Sequence, residues 1–239
     1  MSELARSRKP RLRQEWMCET VFRPLAHLVV VPLARLRVPP PAVVAAAAAF
    51  GIASAVELAR GELVVAALLL QAKTVLDNAD GQLARLTGRV TAFGRYLDAE
   101  LDLVVNAALF AAIGYETGRP VLAAAGFVAL TAVLSVNFNV ERLARGAPVG
   151  WDGSLLGRAY AVLYGWQDRV LDRVLPRPEL GTVTVLAQLG MSSQLLVLGI
   201  CAALGQPLVD TWLLLVQLAA VAVLVFRPNT NQEVSLEHR

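Results

Sequence analysis

Four aspartates and three arginines crowd one stretch of an otherwise apolar chain, LDNADGQLARLTGRVTAFGRYLDAELDLVVN (76–106). Asp77, Asp80, Gly81, Ala84 and Arg85 fall at relative positions 0, 3, 4, 7 and 8, one stripe of an α-helix. Gly94, Asp98 and Asp102 step by four and share a second stripe. If residues 86–93 reverse the chain, the two stripes meet and four carboxylates converge. Such a cluster at a membrane boundary is prohibitive without positive charge, because one acid at the centre of a membrane helix already costs ~2.5–3.5 kcal/mol. Hard oxygen ligands without histidine or thiolate favour Mg²⁺ or Mn²⁺. Two such ions, about 3.5–4 Å apart, suit the clamping of a phosphoryl group under in-line attack. Gly81 and Ala84 beside the acids leave room for close approach of a ligand such as a nucleotide. Arg85 supplies a forked cation for a diphosphate, and Gly94 opens the facing helix.

The elements that must position these groups are read from the composition. The chain of 239 residues is 56% hydrophobic and 17% charged, with a mean hydropathy of +0.55, and this points to lipid as its solvent. About 20 apolar helical residues cross ~30 Å of hydrocarbon. Six segments meet that length: 42–59, 63–83, 97–116, 121–140, 180–204 and 209–226. Their apolar runs are continuous rather than alternating, so helices are expected and not a barrel. The expected fold is an all-α integral membrane protein. It has an N-terminal interfacial segment (1–40), a six-helix bundle (41–228) and a tail (229–239).

Arginines and lysines set the orientation. Arg6, Arg8, Lys9, Arg11, Arg13, Arg35 and Arg37 precede the first span; Arg85, Arg89 and Arg95 join the second to the third; Arg142, Arg145, Arg158, Arg169, Arg173 and Arg177 follow the fourth. All belong to one side, expected to be cytoplasmic, with both termini there. The net charge of +3 then reflects topology and anionic headgroups, since no nucleic-acid recognition motif accompanies it. No cleavable signal peptide is evident. Residues 13–37, interrupted by Pro24 and Pro32, read as short interfacial helices, and 154–175 as a cytoplasmic amphipathic helix. Trp151, Tyr164 and Trp166 are expected as interfacial anchors. Cys18 and Cys201 fit no metal or redox spacing, and His27 and His238 match no motif. The ending SLEHR resembles a vector-derived tail and carries no functional weight.

The acidic stretch matches, at every fixed position, the signature of the CDP-alcohol phosphotransferase family: D-x-x-D-G-x-x-A-R, eight residues, then G-x-x-x-D-x-x-x-D. Here it reads Asp77, Asp80, Gly81, Ala84, Arg85, Gly94, Asp98 and Asp102. The order of spans, with the motif on the second and third, also resembles the family. The resemblance implies transfer of a substituted phosphate from a CDP-alcohol to an acceptor hydroxyl, with release of CMP, at the cytoplasmic face of the cell (inner) membrane. It further implies that Asp77, Asp80 and Asp98 are the main ligands of two divalent ions. Asp102 would be the general base with a metal contact of its own, and Gly81, Ala84, Arg85 and Gly94 would line the CDP site. It also implies a homodimer. Many members begin the first span with a Pro-Asn…Thr pattern; VPPPAVV (38–44) keeps the prolines and lacks the Asn and Thr.

Three readings of function compete. The donor is CDP-diacylglycerol and the acceptor glycerol phosphate, inositol phosphate or another small polar alcohol, in phospholipid biosynthesis. Alternatively the donor is a soluble CDP-alcohol such as CDP-inositol. A non-catalytic cation-binding membrane protein is the third, disfavoured because a cation site needs neither a spare base nor room for a nucleotide. For the acceptor, Lys73 one turn before Asp77 is a candidate by its intramembrane position, with balancing of the acids as the other role. Arg142 and Arg145 are candidates by resemblance if the acceptor is phosphorylated, with positive-inside anchoring as the alternative. Asn106 extends the Asp98–Asp102 stripe, either to orient a ligand or to hydrogen-bond between helices.

Overall fold

A computed structural model describes residues 12–146, 157–158, 161–162, 165–175 and 178–226 of the chain. Among these residues the regular structure is helical throughout. A π-helical turn, Cys18–Phe22, leads directly into α1, Arg23–Arg35. There follow α2 (Pro40–Ala59), α3 (Leu63–Leu86), α4 (Ala92–Thr117), α5 (Pro120–Ala144), α6 (Gly165–Val174), α7 (Leu180–Ala187), α8 (Met191–Ala203) and α9 (Pro207–Val225). Proline stands at the first turn of α1, α2, α5 and α9, where its missing N–H has no intrahelical partner to lose.

Three helices, α2, α5 and α9, are long and apolar enough to cross a membrane, and a fourth span arises if the bent pair α7 and α8 is one. α3 and α4 are longer, at 24 and 26 residues, but charged residues interrupt their apolar character. Those charges include the motif acids. The outer surfaces of the helices are apolar: Leu68, Val128, Val216 and Val223 are all exposed, the reverse of a water-facing bundle.

The interior is a core built from six helices, with Leu58 of α2, Leu70 of α3, Leu109 and Ile113 of α4, Leu130 of α5, Leu195 and Leu198 of α8 and Leu214 of α9. α3 and α4 each pack closely on α2, and α3 also on α8, whereas α3 and α4 make little backbone contact with each other. The gap between them is where the acids point.

Two expectations are corrected. The segment 180–204 is not one continuous helix but α7 and α8, bent by 41° about a break at residues 188–190. The reason lies in the N-terminal segment, which is inserted at that break and described below. Pro32 also does not end a helix; it lies inside α1, in the last turn, where loss of one N–H bond is tolerated. Within the expected amphipathic segment 154–175 the structure describes α6, whose Leu171 packs beside Val140 and Leu175. Trp151, Tyr164, His238 and the tail lie outside the described residues, as does the side chain of Trp166.

Candidate active site

α3 runs unbroken through Lys73, Asp77, Asp80 and Arg85 before the chain turns at 87–91. Thr91 then caps α4, its hydroxyl accepting from the Gly94 N–H at 3.0 Å. This turn brings the two stripes face to face. A carboxylate oxygen from each of Asp77, Asp98 and Asp102 lies within 4.8 Å of the others. Lys73, 1% exposed, bridges the helices from beneath: its ammonium donates to Asp77 Oδ1 at 2.9 Å and to Asp102 Oδ1 at 2.5 Å. Each of those carboxylates keeps a second oxygen. Asp80 is buried, and its Oδ2 is without a hydrogen-bond partner among the described residues. An orphaned carboxylate oxygen beside three converging carboxylates is the donor set of a hard divalent cation, so these residues fit Mg²⁺ or Mn²⁺.

Above the acids opens a cavity of about 250 Å³. Its wall includes Asp77, Asp80, Gly81, Arg85, Asp98 and Asp102. A side chain at Gly81 would run into the Arg85 guanidinium, whose Nη1 lies 3.1 Å from where its Cβ would be. Glycine therefore lets Arg85 fold back over its own helix towards the cavity. Ala84 and Gly94 stand outside this wall, Gly94 in the first turn of α4.

The other expected site residues are held elsewhere. Lys73 is beneath the carboxylates and outside the cavity wall. Arg142 is buried, with Nε and Nη2 donating to Asn139 Oδ1 at 3.2 and 2.9 Å, and it is paired with Asp172 of α6. Arg145 lies 3.7 Å from Glu141. Neither arginine borders the cavity. Asn106 is buried and donates to Met191 Sδ at 3.9 Å.

Sequence reasoning missed the remaining wall: Gln14, Glu15, Cys18, Glu19 and Arg23 of the N-terminal segment, with Asn78, Gln82, Met191 and Ser192. Glu15 is 3% exposed. Its Oε1 accepts from the Ser193 N–H at 2.6 Å and the Ser193 hydroxyl at 2.7 Å. The N-cap of α8 is Gly190, which has no side chain to satisfy those first N–H groups. Glu15 supplies the missing oxygen from outside, and its carboxylate fills the space a Cβ on Gly190 would need. Gln188 clasps the same segment, donating to Gln14 O at 3.0 Å and accepting from Trp16 N–H at 2.9 Å. Cys18 Sγ meets Asn78 Oδ1 at 3.1 Å, and Gln82 Nε2 donates to Arg23 O at 3.1 Å. One signal was available in the sequence, a glycine followed by serines, QLGMSS (188–193), inside an apolar span.

Acids from two helices thus surround one polar cavity, and comparison with known proteins gives the family. The family model for CDP-alcohol phosphatidyltransferase matches residues 37–164, more than half of the chain. The chain belongs to the CDP-alcohol phosphatidyltransferase family. Among its curated relatives, the phosphatidylinositol phosphate synthase of Corynebacterium glutamicum is 34% identical over 148 residues, 59% of this chain and 64% of that protein. The archaetidylinositol phosphate synthase of Methanothermobacter thermautotrophicus is 31% identical over 118 residues, 49% of this chain and 60% of that protein. The bifunctional IPC transferase and DIPP synthase of Thermococcus kodakarensis is 35% identical over 86 residues, 36% of this chain. The chain thus spans about a fifth of the last relative's length (20%) and under two thirds of the two synthases. With this membership, the three to four apolar spans belong to a multi-pass membrane protein.

Proposed function

We propose that this family member is a metal-dependent transferase that moves a substituted phosphate from a CDP-alcohol to a small polar acceptor and releases CMP. The donor is CDP-diacylglycerol and the acceptor a phosphorylated polyol such as inositol phosphate, giving a phospholipid precursor. The observation that carries this reading is the convergence of Asp77, Asp98 and Asp102 under one cavity that Arg85 and Gly81 also line. The names of two relatives, both inositol phosphate lipid synthases, support the acceptor class.

Asp77, Asp80, Asp98 and Asp102 would hold Mg²⁺ or Mn²⁺ as two ions, which when bound supply charge neutralisation at the diphosphate and at the departing CMP. The chain's own groups do the rest. Arg85 forks onto the diphosphate, and Gly81, with Ala84 and Gly94 nearby, leaves space for the cytidine nucleotide. Asp102 is the general base: Lys73 occupies Oδ1, and the second oxygen takes the proton of the acceptor hydroxyl. The acceptor oxygen then bonds to the phosphorus carrying the diacylglycerol, and the P–O bond to CMP breaks.

In the same reading the chain crosses the cell membrane six times, by α2, α3, α4, α5, the α7–α8 pair and α9. The cavity faces the cytoplasm, and two copies form a homodimer. The test is an assay of CMP release by the purified protein, with CDP-diacylglycerol and CDP-inositol each offered against inositol phosphate, glycerol phosphate, inositol and glycerol. Release only with CDP-diacylglycerol, a phosphorylated acceptor and Mg²⁺ or Mn²⁺ is the expected result. Turnover of CDP-inositol instead would move the product from a lipid to a solute, and turnover undiminished by a chelator would remove the metal site.

A further inference from the structure

Hydroxyls that have a helical turn behind them fold back onto it: Thr74, Thr87, Thr117 and Thr131 each donate to the carbonyl four residues earlier, at 2.6–2.9 Å. Ser192 has no such turn behind it, because it stands in the first turn of α8, just after the break. It is 5% exposed and lines the cavity. The direction of its proton follows from Asn78. Asn78 Nδ2 lies 2.8 Å from the Thr74 carbonyl oxygen. A carbonyl oxygen can only accept, so the amide cannot be turned over and the atom facing it is the nitrogen. The same Nδ2 donates its second hydrogen to Ser192 Oγ at 3.1 Å. Ser192 is therefore the acceptor of that pair, and its own proton is directed away from Asn78. Among the described residues this proton meets no acceptor. We propose that Ser192 donates it to a hydroxyl of the bound acceptor and so selects a polyol.

Two contacts place Ser192 on the acceptor's side of the cavity. Asn106, one turn beyond Asp102 on α4, donates to the Sδ of Met191, the chain neighbour of Ser192. Asn78, which orients Ser192, is the chain neighbour of Asp77 on α3. The start of α8 thus packs beside Asp77 and Asp102, where the acceptor hydroxyl must come to lose its proton. Arg85 stands seven residues beyond Asn78 on α3, roughly 10 Å of helix rise, so a diphosphate held there leaves this wall to the acceptor. Charge favours a neutral group at Ser192. The positive end of α8 already holds the Glu15 carboxylate on the Ser193 N–H, and the position suits a hydroxyl better than a second anion.

This rests on the transfer reaction proposed above, so binding and turnover are read separately. Equilibrium dialysis of labelled inositol 1-phosphate against the full-length protein in lipid nanodiscs, with Mn²⁺ and CMP present and no donor, measures the acceptor alone. Ser192→Ala is expected to weaken binding roughly 3–10-fold, the loss of one neutral hydrogen bond, and Ser192→Thr to recover most of it. A merely structural role for Ser192 would weaken every acceptor alike, so the monodeoxy analogues of inositol 1-phosphate are measured against both proteins. For the analogue lacking the hydroxyl that Ser192 reads, Ser192→Ala is expected to cost less than about twofold, while the other analogues keep the full loss. In the CMP-release assay the acceptor KM rises by the same factor, and the KM for CDP-diacylglycerol stays within about twofold. Failure of inositol 1-phosphate to bind the parent protein would overturn the proposal, and so would an equal loss across all analogues or a KM change confined to the donor. The analogue-dependent loss of binding without CMP release from any acceptor would leave the role of Ser192 standing and sink the transfer reaction instead.

Discussion

At Asp102 one oxygen is taken by Lys73 while the side chain still borders the cavity, so its two oxygens have different work. Asp102→Asn keeps the size and one oxygen but cannot accept a proton. It is expected to lower kcat by about 10²–10⁴, the range for loss of a general base. Mn²⁺ binding, followed by electron paramagnetic resonance, should persist through Asp77, Asp80 and Asp98. Undiminished kcat would remove the base assignment. Lys73 gives a second residue-scale prediction, because it is the buried counter-charge of Asp77 and Asp102. Removing one partner of a buried ion pair costs about 3–5 kcal/mol, so Lys73→Met should lower the unfolding temperature strongly in chelator. A divalent ion bound to the same acids replaces the missing charge, so Mn²⁺ should narrow the gap between variant and parent. A deficit equal with and without Mn²⁺ would mean that the lysine and the ions do not share those carboxylates.

Among the elements, the break between α7 and α8 carries the N-terminal wall of the site. Glu15→Ala removes the oxygen that satisfies Ser193 and leaves those N–H groups buried and unpaired, a penalty of about 1–3 kcal/mol. Gly190→Val fills the same space with a side chain that the Glu15 carboxylate must vacate. Both variants should release the segment, seen as Cys18 alkylation faster by about tenfold or more; unchanged alkylation in both would show that the segment is held by α1 alone. The contrast with the acid helices explains what was legible beforehand. Spacings of three and four put Asp77, Asp80 and Arg85 on one helical face, and Asp98 and Asp102 on another, and helical geometry alone makes those faces stripes. The α2, α5 and α9 spans follow likewise from length and hydropathy. Glu15 meeting Gly190 spans most of the chain, and nothing local in QEWMCE (14–19) marks its partner. The same holds for Arg142, which the family resemblance offered for a phosphate but whose neighbour Asp172 comes from another helix. Contacts between distant segments decide which of several arginines faces the cavity, and periodicity carries no information about them.

For the whole molecule, the placement of charge follows from the cost of moving arginine through hydrocarbon. The turns around Arg60–Glu62, Gly118 and Gly205 are short and carry few charges, whereas the acid site, the 87–91 turn and the N-terminal segment share the opposite, arginine-rich end. If all six apolar stretches cross the bilayer, these two sets of segments must lie on different sides, even though α3 and α4 each carry intramembrane charge. Single cysteines introduced in a background lacking Cys18 and Cys201 test this in sealed cells with a membrane-impermeant maleimide. Glu62→Cys, Thr117→Cys and Gln206→Cys should label from outside, while Arg89→Cys should label only after the membrane is opened. Labelling of Arg89→Cys in sealed cells would turn the cavity outward, away from any cytoplasmic pool of nucleotide-activated donor. Failure of both Glu62→Cys and Thr117→Cys would mean that α3 and α4 enter the bilayer without crossing it. The acids would then have to meet in a re-entrant pair, a structure that the unbroken 24- and 26-residue helices oppose.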